Sequence, residues 1–218
     1  MQHLIYPSIL SADLGNLKSE IGMLNVSEAD AIHIDIMDGV FVPNISFGFP
    51  IVETIKKYSE KPLDIHLMIT NPNLYLEKFI AAGANSLLVH YESNNSLYRT
   101  IEKIKKLGVK AGVVLNPHSP VNLIKDIIAD LDVVLIMTVD PGYGGQEFIN
   151  WSYRKIEELK NLIISRQANT LIQVDGGVNT NNAKRLVKSG ADILVAGNFI
   201  FQASDPITVI SKLKLLKT

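Results

Sequence analysis

A chain of 218 residues, 47% hydrophobic and 20% charged, is long enough to bury one sizeable core, and a single catalytic domain over residues 1–218 is expected. A net charge of -1 lacks the basic excess of a nucleic-acid binder, and the absence of cysteine excludes disulfides and thiolate chemistry. The opening MQHLIYPSIL has no basic n-region, and no apolar run nears the roughly 20 residues of a membrane span, so a cytoplasmic protein without membrane partners is expected.

Short runs rich in Val, Ile and Leu alternate along the chain with longer amphipathic segments. The first run, LIYPSIL (4–10), puts Tyr6 and Ser8 on one face. In AIHIDIM (31–37) the two-residue period of a strand puts His33, Asp35 and Met37 on one face and Ile32, Ile34 and Ile36 on the other. The isoleucines suit packing against outer helices, so the first set points inward. LDIHLMI (63–69) repeats the arrangement with Asp64, His66 and Met68 inward. The helix-like LYLEKFIAAGA (74–84) precedes SLLVH (86–90), and SLYRTIEKIKKLG (96–108) precedes KAGVVLN (110–116) and DVVLIMTV (132–139). SYRKIEELKNLIISR (152–166) leads to TLIQVD (170–175), with Gln173 and Asp175 inward, and NTNNAKRLVKSGA (179–191) leads to DILVAG (192–197). Gly83, Gly108 and Gly190 stand where helix C-caps are due. Eight such units predict a (β/α)8 barrel with parallel strands. A doubly wound sheet would show G-x-G-x-x-G after the first strand, where this chain has SADLGN.

Ionisable residues on three strands therefore converge at the C-terminal rim, where barrel active sites sit. One inward His or Asp is ordinarily a satisfied structural group, and Asp64, deeper in its strand, reads that way. His33, Asp35, His66 and Asp175 together read as functional. Two His and two Asp make a four-ligand set for a divalent metal such as Zn²⁺. Arg99, Arg154, Arg166 and Arg185 fall in predicted helices or at their ends, and no lysine ends a strand. A metal would thus offset the charge of two carboxylates that lack a fixed positive neighbour. His90 and His118 have no partner by spacing and read as supporting or structural; Met37, Met68 and Met137 read as filler or as a floor near the same rim. After the sixth, seventh and eighth runs come TVDPGYGGQEFI, DGGV and AGN. Three glycine-containing loops on neighbouring strands point to a phosphate held by backbone N–H groups, with GYGGQ also a candidate lid.

PSILSADL, HIDIMDGVFVPNISFG, LDIHLMI, NPHSP, MTVDPGYGGQEFI, QVDGGV and AGNFIF resemble, in order and across essentially the whole chain, the signature segments of the ribulose-phosphate 3-epimerase family. The resemblance implies a (β/α)8 barrel that interconverts D-ribulose 5-phosphate and D-xylulose 5-phosphate. It implies one divalent metal ion (Zn²⁺, with Fe²⁺, Mn²⁺ or Co²⁺ as alternatives) on His33, Asp35, His66 and Asp175. It further implies Asp35 as proton acceptor, Asp175 as proton donor, and Ser8 and His66 as substrate contacts. Gly142, Tyr143, Gly144, Gly145, Gly176, Gly177, Gly197 and Asn198 would form the phosphate end of the site, and the protein would be a homo-oligomer. Asn198 stands where the family usually has a small hydroxyl residue, Asp140 where it often has Asn or Glu, and FGFP (47–50) where FGP is common. The sister allulose-6-phosphate 3-epimerases resemble the chain at the same place.

The chemistry is consistent with these residues. Inverting a carbon beside a ketone removes a proton from one face and returns one to the other, which calls for two acid/base groups, one of them initially protonated. A Schiff-base aldolase would need an inward lysine at a strand end, and related decarboxylases place Asp-x-Lys-x-x-Asp where this chain has HIDIMD. A non-catalytic phosphosugar-binding barrel would need the glycine loops but not the converging acids and imidazoles.

Overall fold

The computed structural model describes residues 2–216. Eight parallel strands form one sheet: β1 (Leu4–Pro7), β2 (Ile32–Met37), β3 (Leu63–Met68), β4 (Ser86–His90), β5 (Lys110–Leu115), β6 (Val133–Met137), β7 (Leu171–Asp175) and β8 (Ile193–Ala196). Each lies within the apolar run that predicts it. The order β1-β8-β7-β6-β5-β4-β3-β2 leaves one seam, between β1 and β2. A parallel bridge between Ser8 and His33, with Asp30 N–H donating to Ile5 O at 2.9 Å, closes it. The sheet is a barrel.

Outside it run α1 (Leu17–Val26), α2 (Phe49–Tyr58), α3 (Leu76–Ala81), α4 (Leu97–Lys106), α5 (Ser152–Ser165), α6 (Thr180–Ser189), the single turn α7 (Asn198–Phe201) and α8 (Pro206–Lys214). Gly83, Gly108 and Gly190 follow α3, α4 and α6 with positive φ, as their sequence positions predict. Between β5 and β6 there is no α-helix. Two 3-10 turns, Val121–Ile124 and Ile128–Asp130, fill the place and bury Val121, Ile124 and Ile128 as a helix face would.

The two faces of each strand separate as the alternation requires. Ile32, Ile34, Ile36, Ile65, Leu67, Val134 and Ile172 pack outward with Val52, Ile55, Leu76, Ile104, Ile156 and Leu186 of the helices in the main core. Each such side chain contributes about 1.5–3 kcal/mol by leaving water. The barrel interior divides in two. Leu88, Val114, Val133, Leu135, Met137 and Val139 make an apolar half on β4–β6. The other half, on β2, β3 and β7, is polar.

Candidate active site

In-register pairing of β2 with β3 brings Asp35 level with His66 and His33 level with Asp64. His66 Nδ1 lies 2.9 Å from Asp35 Oδ1 and 3.9 Å from Asp175 Oδ2. His33 Nε2 lies 3.2 Å from Asp35 Oδ1 and 3.7 Å from Asp175 Oδ2. One ligand atom from each of these four residues falls within 4.8 Å of the others, close enough for a single ion to reach all four.

The fit to a cation rests on an orphaned atom. His33 Nδ1 lies 2.8 Å from Asp64 Oδ2, and an ionised carboxylate only accepts, so the ring donates there and its Nε2 is left to carry either a second proton or, in its place, a cation. That Nε2 is fully buried, has no hydrogen-bond partner among the described residues, and faces two carboxylate oxygens. Lone pairs converging without a donor need a proton or a cation between them. Asp64, expected to be merely structural, is thus what orients His33. It is itself held by Ser86 Oγ and by Gln173 Nε2 at 2.8 Å. Carboxylate–imidazole pairing of this kind fixes the tautomer of metal-binding histidines.

The two acids differ in charge state. Burial pushes both upward. In Asp35 the imidazoles of His33 and His66 outweigh burial and hold the carboxyl well below the usual range. In Asp175 burial and then the charge of Asp35 raise the pKa to about 6. For His33 burial opposes the charge, but Asp35 and then Asp64 raise its pKa well above 6.5. One ionised and one readily protonated carboxyl is the division a two-base proton transfer requires.

Above the cluster opens a cavity of ≈ 480 Å³. Asp35 and Asp175 reach it, whereas His33 and His66 lie beneath, both fully buried. Ser8 lines it and donates to Asp35 Oδ2 at 2.6 Å. Met37, Met68 and Met137 line it too. Its far end is made by Gly142, Tyr143, Gly144, Gly145, Gly176, Gly177, Gly197 and Asn198, so every loop residue singled out in the sequence meets there. The Asp-Gly-Gly turn after β7 has a steric reason. A Cβ on Gly176 would come within 2.5 Å of Val139, and one on Gly177 within 2.9 Å of the Phe148 backbone nitrogen, at φ values of 119° and 66°. Asn182 Nδ2 of α6 donates to Gly177 O at 2.8 Å and steadies the turn. Asn198 accepts from Ser11 Oγ at 2.5 Å, a cavity residue that the alternation of β1 does not reveal because it lies beyond the strand.

His90 is not peripheral. Its Nε2 lies 2.8 Å from His66 Nε2, and its Nδ1 3.1 Å from Glu92 Oε2. Glu92 Oε1 accepts from Asn116 N–H at 2.9 Å and from Ser119 Oγ. Burial acts first on both residues. It takes His90 down to about 4 despite Glu92, while in Glu92 the bonds from His90, Ser119 and Asn116 override burial and bring the carboxyl to about 2. His118, in contrast, is exposed. Lys155, from α5, is buried with Nζ at 2.5 Å from Asn116 O and 3.1 Å from Pro117 O, anchoring the NPHSP loop. Asp38, the last residue of HIDIMD, lies outside the cluster and accepts from the Val40, Phe41 and Thr70 N–H groups.

A parallel barrel with an acid pair and two imidazoles beneath a glycine-rimmed cavity is the layout of a (β/α)8 enzyme of acid/base chemistry with room for one metal ion. Solved structures agree on the fold. A mutant tryptophan synthase alpha-subunit from Pyrococcus furiosus superposes with a TM-score of 0.70 at 18% identity over 98% of each chain. A 3-hexulose-6-phosphate synthase does so at 0.67 and 17%, over 97% of this chain and 98% of that one. The model of the ribulose-phosphate 3 epimerase family matches residues 4–201, and the chain belongs to that family. The ribulose-phosphate 3-epimerase of Bacillus subtilis (strain 168) is 49% identical over 96% of this chain and 97% of its own. The chloroplastic ribulose-5-phosphate-3-epimerase of Arabidopsis thaliana is 42% identical, over 98% and 77%. The ribulose-phosphate 3-epimerase of Methanocaldococcus jannaschii is 42% identical over 95% and 88%.

Proposed function

We propose that this barrel, as one catalytic unit, interconverts D-ribulose 5-phosphate and D-xylulose 5-phosphate by two proton transfers at C3. The observation that carries the reading is the placement of two carboxyls, Asp35 of β2 and Asp175 of β7, at the floor of one glycine-rimmed cavity, where their surroundings push their charge states in opposite directions. Asp35 takes the C3 proton from one face, leaving an enediolate, and Asp175 delivers a proton to the other. In the reverse direction the roles exchange. Ser8 steadies Asp35 through its hydroxyl and stands at the substrate, whereas His66, expected as a second substrate contact, lies buried beneath the cavity and would act on the substrate through Asp35. The loops at Gly142–Gly145, Gly176–Gly177 and Gly197–Asn198 hold the phosphate by backbone N–H groups, since no arginine or lysine among the described residues lines the cavity. With the phosphate fixed at one end, C3 is placed between the two acids at the other.

His33, Asp35, His66 and Asp175 would hold one divalent cation per chain, with Zn²⁺ the first candidate and Fe²⁺, Mn²⁺ or Co²⁺ compatible with the same mixed imidazole and carboxylate donors. When bound, such an ion supplies positive charge next to the enediolate. The relatives carry the pentulose name, which favours ribulose over allulose phosphate, and the paired acids favour an enzyme over a non-catalytic binding barrel. A cytoplasmic homo-oligomer is part of the same reading. Exposed Val40, Ile45 and Leu74 on the loops after β2 and β3 are apolar surface that assembly would cover. No described helix is long and apolar enough to cross a membrane.

The test is NMR with ribulose 5-phosphate in D₂O, before and after chelation. Deuterium at C3 accompanied by xylulose 5-phosphate, lost on chelation and restored by Zn²⁺, is the expected result. Exchange surviving complete metal removal would leave the aspartates without a metal partner, and no exchange in the loaded protein would refute the reaction.

A further inference from the structure

Asp64 fixes the ring of His33, whereas the place of the His66 proton is contested at both nitrogens, since Asp35 Oδ1 lies 2.9 Å from Nδ1 and His90 Nε2 lies 2.8 Å from Nε2. We infer that Glu92 is a positioning residue that, through His90, holds the His66 proton on Nε2 and so leaves Nδ1 to the metal site. The inference rests on the proposed metal site and deepens it.

Glu92 presents two oxygens with fixed duties. Oε1 is taken by Asn116 N–H at 2.9 Å and by the Ser119 hydroxyl. Oε2 is left for His90 Nδ1 at 3.1 Å. A carboxylate only accepts, so His90 carries its proton on Nδ1 and its lone pair on Nε2. That lone pair meets His66 Nε2 at 2.8 Å, so His66 must donate from Nε2. Donation from Nε2 leaves Nδ1 as the His66 nitrogen that a cation would occupy, and in the metal-free protein Nδ1 shares a hydrogen bond with Asp35 Oδ1 at 2.9 Å, with Asp175 Oδ2 at 3.9 Å. Glu92 therefore sets the proton at one end of the His66 ring and Asp35 the demand at the other. His66 and His90 are fully buried, and the Phe41 ring lies against His90 with centroids 4.6 Å apart, so little water can substitute for a missing partner. The NPHSP segment also gains a purpose: Lys155 clamps the carbonyls of Asn116 and Pro117, which aims the Asn116 N–H at Glu92.

Glu92→Gln makes the inference testable because the amide is nearly isosteric. Asn116 N–H cannot accept, so the glutamine oxygen must stay on that side and its NH₂ must face His90. His90 would then carry its proton on Nε2 and donate to His66, and the His66 proton would move to Nδ1, where it blocks the metal. A residue that merely fills space would tolerate Gln better than Ala. The relay predicts the reverse, because Ala imposes no donor.

The experiment measures Zn²⁺ affinity by competition with a chelator, and ring tautomers by long-range ¹H–¹⁵N NMR of histidine-labelled protein, on wild type, E92D, E92A and E92Q. The expected order of affinity is wild type, then E92D, then E92A, then E92Q, with E92Q weaker than wild type by about 10–100-fold. The His90 signal should be Nδ1–H in wild type and Nε2–H in E92Q. An unchanged His90 tautomer in E92Q, or affinity falling more in E92A than in E92Q, would overturn the inference. Should E92Q fail to fold, E92A still decides, since a His90 ring that stays wholly Nδ1–H without the carboxylate refutes control by Glu92. The ring signals need no metal. A wild type that takes up no Zn²⁺ therefore refutes the metal reading while the Glu92 question is settled separately.

Discussion

The two halves of the barrel interior obey different rules. On β4–β6, Leu88, Val114, Val133 and Leu135 fill space, and any apolar side chain of similar volume would satisfy the same demand. On β2, β3 and β7, His33, Asp35, Asp64, His66, Gln173 and Asp175 are nearly as deeply buried, and each needs particular partners at particular angles. Two atoms of the second half, Gln173 Oε1 and His33 Nε2, are buried without a hydrogen-bond partner among the described residues. Of these, His33 Nε2 lies where two carboxylates converge. The apolar half supplies stability, and the polar half holds an unmet electrostatic demand that a cation would meet.

The sharpest way to break the comparison is to neutralise the acids. Asp35→Asn or Asp175→Asn keeps the shape but removes a proton carrier, and C3 exchange should fall by about 10²–10⁴-fold or more, with the circular dichroism spectrum unchanged. In the apolar half, Leu135→Ala should cost about 2–5 kcal/mol in urea unfolding while turnover per folded molecule changes little. Turnover loss matching the aspartate variants would show that the halves are not separable. Asp64→Asn tests the border between them. It cannot accept from His33 as a charged group, and Zn²⁺ should bind about 10–100-fold more weakly by chelator competition.

The smallest effect concerns acid stability of the metal-free protein. Glu92 titrates at about 2 when folded against an ordinary 4.5, so the unfolded chain binds its proton first. Its contribution is fully present above pH 4.5 and is lost as pH falls towards 2. Urea midpoints measured over this interval should therefore drop less steeply in E92Q than in wild type. Equal slopes would show that Glu92 is not held ionised by His90, Ser119 and Asn116.

Much of this was legible in the chain. The alternation in AIHIDIM, LDIHLMI and TLIQVD placed His33, Asp35, His66 and Asp175 inward, because the two-residue period of a strand depends on backbone geometry alone. The glycine loops were legible for a similar reason, since sharp turns and close approach restrict the residue type. Asp64 and His90 were harder to read. Both are inward by the same alternation, but their roles depend on which residue of the next strand lies alongside, and register is set by pairing between segments far apart in sequence. Glu92 and Asn116 lie beyond strand ends, where no periodicity applies, and the turns replacing a helix between β5 and β6 carry the same buried spacing as a helix would.

By itself, then, the sequence determined the barrel, the inward faces and the set of acids and imidazoles, all of which follow from local periodicity and chemical type. Only the tertiary structure decided how those groups are charged and aimed. The separation of Asp35 from Asp175 and the choice of nitrogen on each histidine arise from distances of about 3–4 Å between strands, and in a buried, low-dielectric interior such distances govern where protons reside.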